Sequence, residues 1–483
     1  MDVKTKLDSD NYTWTSAAQS IYAMLQYTDK KTLTLSEVMG YSTHAFRINI
    51  HPETVSPAGP TMFDPLDLVP KGLKTLGVVT LIESLQTPVS DKKLVDMIRF
   101  TQRSLDTGIP VISWDLFAPE FGLIYGYDNE KQVFYAKDIE KDRLIKFSEL
   151  NQRRFQHLFL CGYLQSTPKT IPIMLKDTLI RTLEYALGKS PFAASREYKH
   201  GLEGYEAWIK AFEGRKIDEA GNAYNAAVVA DARKHAHRFF SDLLKRWEVS
   251  TDLDCQVANC LKEGERIYRK IAEILADIPR MFPFPQGGEP NNISTSKRAI
   301  DILQSAHDWE KAGVALLTKL LKLIEKYEDE SFMAPFKVHR HFQFVGEEYN
   351  GSVNRFEIEV PKNMRSFLKR DYAIGPKITN LRLVAYNSKK EEKQEKATYI
   401  VARPVYYEPD SLPEGMVYSN ADRDYAYIRT KTVMIKSAYE KIYQWINENG
   451  YETNKDSYTI EVFLPITPPQ NDEEVEIYLP LKE

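Results

Sequence analysis

The chain has 483 residues, of which 43% are hydrophobic, enough for about two to four domains with cores of their own. Its net charge of −4 supplies no overall basic field for nucleic acid. No run approaches the roughly eighteen apolar residues of a membrane span. Cys161, Cys255 and Cys260 make no disulfide framework, and the N-terminus Met1-Asp-Val-Lys-Thr-Lys6 lacks an apolar signal core, so the expected compartment is the cytoplasm. Three blocks are expected: a mixed block 1–166, a helical block 167–331 and a second mixed block 332–483, an α+β chain overall.

The first block opens with Asn11-Tyr-Thr-Trp-Thr-Ser-Ala-Ala-Gln-Ser-Ile-Tyr-Ala-Met-Leu25, a polar cap leading into a helix with one apolar face. Leu35-Ser-Glu-Val-Met-Gly40 and Thr43-His-Ala-Phe-Arg47 follow. Strand patterns then come at Val111–Asp115, Pro119–Asp128 and Val133–Asp138. This order resembles the papain-like N-terminal domain of the butirosin-biosynthesis acyltransferase family, a relative of bacteriocin-processing cysteine peptidases. In that pattern a cysteine begins the first helix, whose N-terminus stabilises a thiolate. A histidine precedes the Gly-Tyr-Asp turn, and an Asp or Asn on the next strand orients it. Here the cysteine position falls on or beside Ser16, the histidine position falls on Glu120, and Asp138 alone is of the expected type. A carboxylate of ordinary pKa is a poor base for serine. The resemblance therefore implies a catalytically degenerate domain whose cleft binds rather than cuts. Cys161 ends an apolar strand, where a buried structural thiol is expected. His44 and His51 have no assigned role.

The joint Ser166-Thr-Pro-Lys-Thr-Ile-Pro172 introduces the helical block, which a loop interrupts at 281–292. Ile302, Ala306, Trp309, Val314, Leu317 and Leu321 keep helical spacing. Gly204-Tyr-Glu-Ala-Trp208 and Gly221-Asn-Ala-Tyr-Asn225 could face a cleft shared with the first block; the expectation is helix packing instead. No metal site is expected. His235 and His237 point apart on a helix, His339 and His341 share a strand face without nearby partners, and Cys255 and Cys260 lack a second pair. Neither Gly201/Gly204 nor Gly287/Gly288 has the context of a nucleotide cradle, and no cofactor is expected.

The last block ends in two alternating runs, Tyr458–Pro465 and Val475–Pro480, each closed by proline, with a turn through Pro468, Pro469, Gln470, Asn471 and Asp472. Residues 386–397 form a charged excursion expected at a hairpin tip. Within the first alternating run Glu461 stands near aromatic residues, which suits a solvent-facing carboxylate or an acid in an aromatic pocket. Asp424-Tyr-Ala-Tyr-Ile428, Lys436-Ser-Ala-Tyr439, Ile442-Tyr-Gln-Trp445 and Glu448-Asn-Gly-Tyr451 precede it. This succession resembles the gyrase-inhibitor-like effector-binding domain, which also serves bacterial AraC-type and multidrug-responsive regulators. The resemblance implies duplicated strand–helix–strand–strand repeats around a ligand cleft. It also implies Glu461 as the pocket acid, with Tyr425, Tyr427, Trp445 and Phe463 as candidate walls.

The expected function is binding of a small hydrophobic or cationic ligand, for sensing or sequestration, in a chain that also carries a pseudoenzyme domain. The alternative is an enzyme: an acyltransferase or amidohydrolase at the N-terminal cleft, or a hydrolase using Glu461. No helix-turn-helix reader accompanies the sensing block, so direct nucleic-acid binding is not expected, and regulation would act through a partner protein.

Overall fold

A computed structural model describes residues 12–189, 197–327, 334–374, 377, 381–387, 396–464 and 473–482. It divides the chain into two compact units. One comprises Met1–Val89 with Ser104–Glu328, the other Ser90–Arg103 with Asp329–Glu483. The class is α+β, with a helical middle region and a C-terminal sheet domain. Among the described residues no helix is long and apolar enough to cross a membrane.

The first unit begins with α1 (Ser16–Leu25), α2 (Leu35–Tyr41), β1 (Asn49–Ile50), α3 (Pro65–Thr75) and β2 (Val78–Gln86). After α4 (Asp91–Asp106) come β3 (Val111–Trp114), β4 (Phe121–Asp128), β5 (Val133–Lys137), β6 (Asp142–Lys146) and β7 (His157–Ser166). These strands form an antiparallel sheet of order β2-β7-β3-β4-β5-β6. Cys161 lies fully buried on β7, and burial pushes its thiol up to about 12, so it behaves as an inert core group.

Helices follow: α5 (Ile171–Ala186), α6 (Leu202–Gly214), α7 (Glu219–Arg246), α8 (Asp252–Leu275), α9 (Asp277–Met281) and α10 (Ile293–Ile324). The strand β8 (Lys199–His200) pairs with β1. Polar caps set the helix starts. Thr34 and Glu37 form a capping box on α2, Asp218 caps α7, Thr251 and Asp254 cap α8, and Asn292 caps α10. One apolar core joins the sheet to these helices. In it Phe46 meets Phe239, Phe240 and Tyr268 at ring distances of 6.2, 6.4 and 5.3 Å. The α2–α7 approach is close enough that a Cβ on Gly40 would lie 2.3 Å from the Phe239 ring, so any larger residue there would force the helices apart. On α10 the buried stripe is Leu303, Ala306, Val314, Leu317 and Leu320, while Ile302, Trp309 and Leu321 lie at its margins.

The helix-packing residues are tied to polar partners. Trp208 Nε1 donates to Asn222 Oδ1 at 2.9 Å, and Asn225 Nδ2 reaches the Ser56 carbonyl at 2.9 Å. The fully buried Arg233 meets Glu310 at 2.8 Å and also donates to the carbonyls of Ala45 and Arg47, each at 3.1 Å.

The second unit contains β9 (Phe336–Ser352), α11 (Phe356–Phe367), β10 (Arg382–Asn387) and β11 (Lys396–Pro404). Then come β12 (Val417–Lys431), α12 (Ile435–Glu448), β13 (Tyr458–Phe463) and β14 (Glu474–Pro480). The strands close into a barrel of order β10-β11-β9-β12-β14-β13, with β10 paired to β13. One apolar cluster gathers α11 residues Val360, Met364 and Phe367 with Val345, Val384 and Val401. Another gathers α12 residues Ala438, Ile442 and Ile446 with Ala426, Ile428, Ile477 and Leu479. The proposed turn at Pro468–Asp472 and most of the charged excursion, 388–395, lie outside the described residues.

The residues of α4 up to Arg103 belong with this second unit. Phe100 is buried edge-on against Tyr406 at 4.9 Å, and an Arg103 guanidinium N–H donates to the Val405 carbonyl at 3.0 Å. Tyr407 donates to Asp96 and lies under Arg99.

Candidate functional site

In β13 the alternation of Tyr458–Phe463 gives two faces, because side chains two apart share a side of the sheet. Glu461 stands opposite Val384 on β10 and Ile477 on β14. Both neighbours pack against helices, so Glu461 shares the helix-covered face. Its side chain is buried. Tyr386, on β10, donates to Oε2 at 3.0 Å, and Tyr439, on α12, donates to Oε1 at 2.9 Å. Burial raises the Glu461 carboxyl from 4.5 to about 6, and the two hydroxyl donors offset only part of that shift. Burial, reinforced by the Glu461 charge, raises both phenols well above their ordinary value, so they stay protonated as donors.

Aromatic rings continue outward from this carboxylate. Phe356 stacks on Tyr386 at 5.8 Å, Tyr399 meets Phe356 at 4.8 Å, and the exposed Tyr443 lies 6.4 Å from Tyr439. Phe463, two residues after Glu461, packs against the α11 cluster with Arg382 over its ring at 6.0 Å. A buried carboxylate held by neutral hydroxyls and bordered by rings can receive a cation with an apolar body.

The other expected walls are placed differently. Ala426 and Ile428 face α12, which turns Tyr425 and Tyr427 to the opposite face of the sheet. There Tyr427 and Tyr478 donate to Glu476 at 3.0 and 2.8 Å, while the buried Tyr425 ring meets Phe342 at 5.5 Å. Trp445 stacks on Tyr451 at 5.4 Å beside the α12 cluster. Tyr386 and Tyr439, which hold the acid, were not singled out from sequence. Tyr386 reaches Glu461 only through strand pairing, and Tyr439 only through the docking of α12.

In the first unit Ser16, the first residue of α1, donates to Oε2 of Glu120 and accepts the Phe121 N–H at 3.1 Å. Tyr224 donates to the other Glu120 oxygen at 2.6 Å. Burial lifts the Glu120 carboxyl above its usual range, the two donors pull it down, and the Asp138 charge raises it further. Asp138 itself accepts the backbone N–H groups of Phe117, Ala118, Glu140 and Lys141 at 2.8–2.9 Å. Both of its oxygens are thus engaged in holding two loops. His44 pairs with Ser42 at 2.8 Å, and burial keeps it neutral, with its pKa well below the ordinary value. His51 caps its own turn through Thr54 at 3.0 Å.

His235 bonds Ser36 at 2.9 Å and His237 bonds Glu265 at 2.7 Å, on different sides of α7. His339 is exposed between Asp422 and Asp424. Among the described residues no group of three or more His, Cys, Asp or Glu is arranged to hold a metal ion.

The family model described as the GyrI-like small molecule binding domain matches residues 341–482. Those residues are a GyrI-like domain. The match spans the barrel from β9 to β14 and both of its helices. No curated protein matches the chain. Among solved structures, SAV2435 bound to tetraphenylphosphonium is 14% identical, with 31% of this chain and 94% of that one covered and a TM-score of 0.24. The C-terminal domain of EcmrR is 13% identical, with 31% and 96% covered and a TM-score of 0.26. A hydrolase from Listeria innocua is 10% identical, with 32% and 94% covered and a TM-score of 0.23.

Proposed function

We propose that the GyrI-like domain binds lipophilic organic cations at Glu461, for sensing or sequestration. The observation that carries this reading is the buried Glu461 carboxylate, whose two oxygens are engaged by the neutral hydroxyls of Tyr386 and Tyr439. A buried charge without a counter-charge is costly, and a ligand cation offsets that cost. Tyr386, Tyr439, Phe356 and Phe463 supply the aromatic surroundings, in keeping with the tetraphenylphosphonium bound by SAV2435. Regulation, on this reading, passes through a partner protein.

The test is calorimetric titration of the full chain with tetraphenylphosphonium. Replacing Glu461 by Gln weakens binding about tenfold or more, the scale of one charge-assisted contact. Equal affinity in the two proteins would remove Glu461 from the site.

We read residues 1–166 as a degenerate papain-like domain without hydrolytic or acyl-transfer activity. In support, Asp138 has both oxygens committed to backbone donors and is not hydrogen-bonded to Glu120 as an orienting acid would be. Acylation of Ser16 by an activated ester, lost in a Ser16→Ala variant, would sink this reading in favour of the enzyme.

A further inference from the structure

A second group of rings and carboxylates lies in the first unit, outside the barrel. Trp14 is its centre. Tyr12 meets it at 6.2 Å, Tyr224 at 6.4 Å and Phe284 at 5.6 Å, all edge-on, and Tyr224 also meets Phe284 at 5.6 Å. These rings come from three separate stretches of chain: the approach to α1, helix α7, and the loop after α9. A cluster built to fill a core would be buried. Instead Tyr12 is 39% exposed and Phe284 44%, while Trp14 and Tyr224 are half-buried.

Acids stand directly beside these rings. Tyr224 donates to Glu120 at 2.6 Å, and Asp231 accepts the Thr13 hydroxyl at 2.7 Å and the Trp14 N–H at 3.0 Å. Burial, and after it the charges of Asp231 and Glu120, raise the Tyr12 phenol above its ordinary value. The charged neighbour felt by Glu120 is a third acid, Asp138. The base nearest Asp231 is His235 at 3.7 Å, and burial holds it neutral, with its other nitrogen bonded to Ser36. Negative charge therefore gathers beside electron-rich ring faces, the combination that attracts an ammonium ion.

We propose that Tyr12, Trp14, Tyr224 and Phe284, with Glu120 and Asp231, form a binding site for a small organic ammonium ion, separate from the barrel site. The rings supply cation–π and apolar contact to the substituents on nitrogen. The two carboxylates supply long-range attraction while they keep their present hydrogen bonds. An ammonium with small alkyl substituents fits this chemistry. An anion would meet three carboxylates.

Calorimetric titration of the full chain with choline tests the proposal, with neutral 3,3-dimethyl-1-butanol as the isosteric control. Choline binds, and the alcohol binds at least about tenfold more weakly because it lacks the charge. Trp14→Leu and Glu120→Gln each weaken choline about five- to tenfold, and Glu461→Gln leaves it unchanged. Tyr12→Leu and Phe284→Leu alter exposed rings, keep the fold, and each weaken choline about threefold or more. Equal binding of alcohol and choline, or choline affinity unmoved by all four changes in the cluster, overturns the proposal. So does a wild-type protein that takes up no choline, or loss of binding in Glu461→Gln alone, which would assign the cation to the barrel.

Discussion

Tyr439 donates its hydroxyl to Glu461 across 2.9 Å, so α12 and β13 are joined by a hydrogen bond to a buried carboxylate. With Tyr386 it keeps an acid in an apolar setting without supplying a counter-charge. The chemistry expected of the domain follows from that arrangement.

Binding of a lipophilic cation should therefore follow the ionisation of Glu461. Burial raises the carboxyl to about 6 in the folded chain, so affinity for tetraphenylphosphonium rises from about pH 5 to about pH 7 and then levels. Replacing both Tyr386 and Tyr439 by Phe removes the donors that lower this pKa and moves the midpoint upward. Titrations of binding at stepped pH check both statements; a flat profile for the unmodified protein would contradict them.

Stability has the opposite dependence on pH. Glu461 binds its proton more tightly folded, at about 6, than unfolded, near 4.5, so the native state holds the extra proton between those values. Its stabilising contribution is full below 4.5 and is lost as pH rises through about 6, a change of about 2 kcal/mol. Glu461→Gln removes this slope. In urea melts the variant should equal or exceed the parent above pH 7, and its advantage should shrink toward pH 4.

Tyr425 and Tyr427 should separate from ligand binding altogether. Tyr427→Phe removes a donor to Glu476 and costs about 1 kcal/mol of stability without changing affinity. The hydroxyl of Tyr425 is buried without a hydrogen-bond partner among the described residues, so Tyr425→Phe is neutral or slightly stabilising. Paired melts and tetraphenylphosphonium titrations decide the matter. A large loss of affinity in either variant would place these rings in the site.

Arg233 and Glu310 should be the most sensitive pair of the first unit. Glu310→Gln leaves a buried guanidinium without its carboxylate and should cost about 3 to 5 kcal/mol in chemical denaturation. Replacing both by Met should recover much of that loss, since the expense comes from the orphaned charge. A single variant as stable as the parent would refute the account.

Glu461 could be found in the sequence because Tyr458–Phe463 alternates and the segments before it carry a recognisable order. Its partners could not. Tyr386 lies 75 positions away and reaches the acid only through the β10–β13 register, which no local pattern specifies. Tyr425 and Tyr427 sit two apart and so share one face, but only the packing of Ala426 and Ile428 on α12 tells which face that is. Ser16 and Glu120 pair through the order of elements, whereas Tyr224 stands in the Gly221–Asn225 patch of α7, whose spacing does not tell that it meets Glu120. Alternation and spacing report a residue's own element. They do not report which distant side chain will meet it.

Helix α4 bears on how the molecule is made. Its Asp96 and Arg103 meet residues 311 and 302 positions further along. A ribosome thus releases this piece of the second unit long before the barrel that receives it exists. Until the chain beyond β11 is synthesised, Phe100 has no Tyr406 to cover it, and its apolar surface stays open to misplaced contacts. A fragment cut to start at residue 332 would leave Tyr406 and the Val405 carbonyl without those partners. An expression vector for the isolated domain should supply residues 90–103 as well, as a separate peptide or a fused segment.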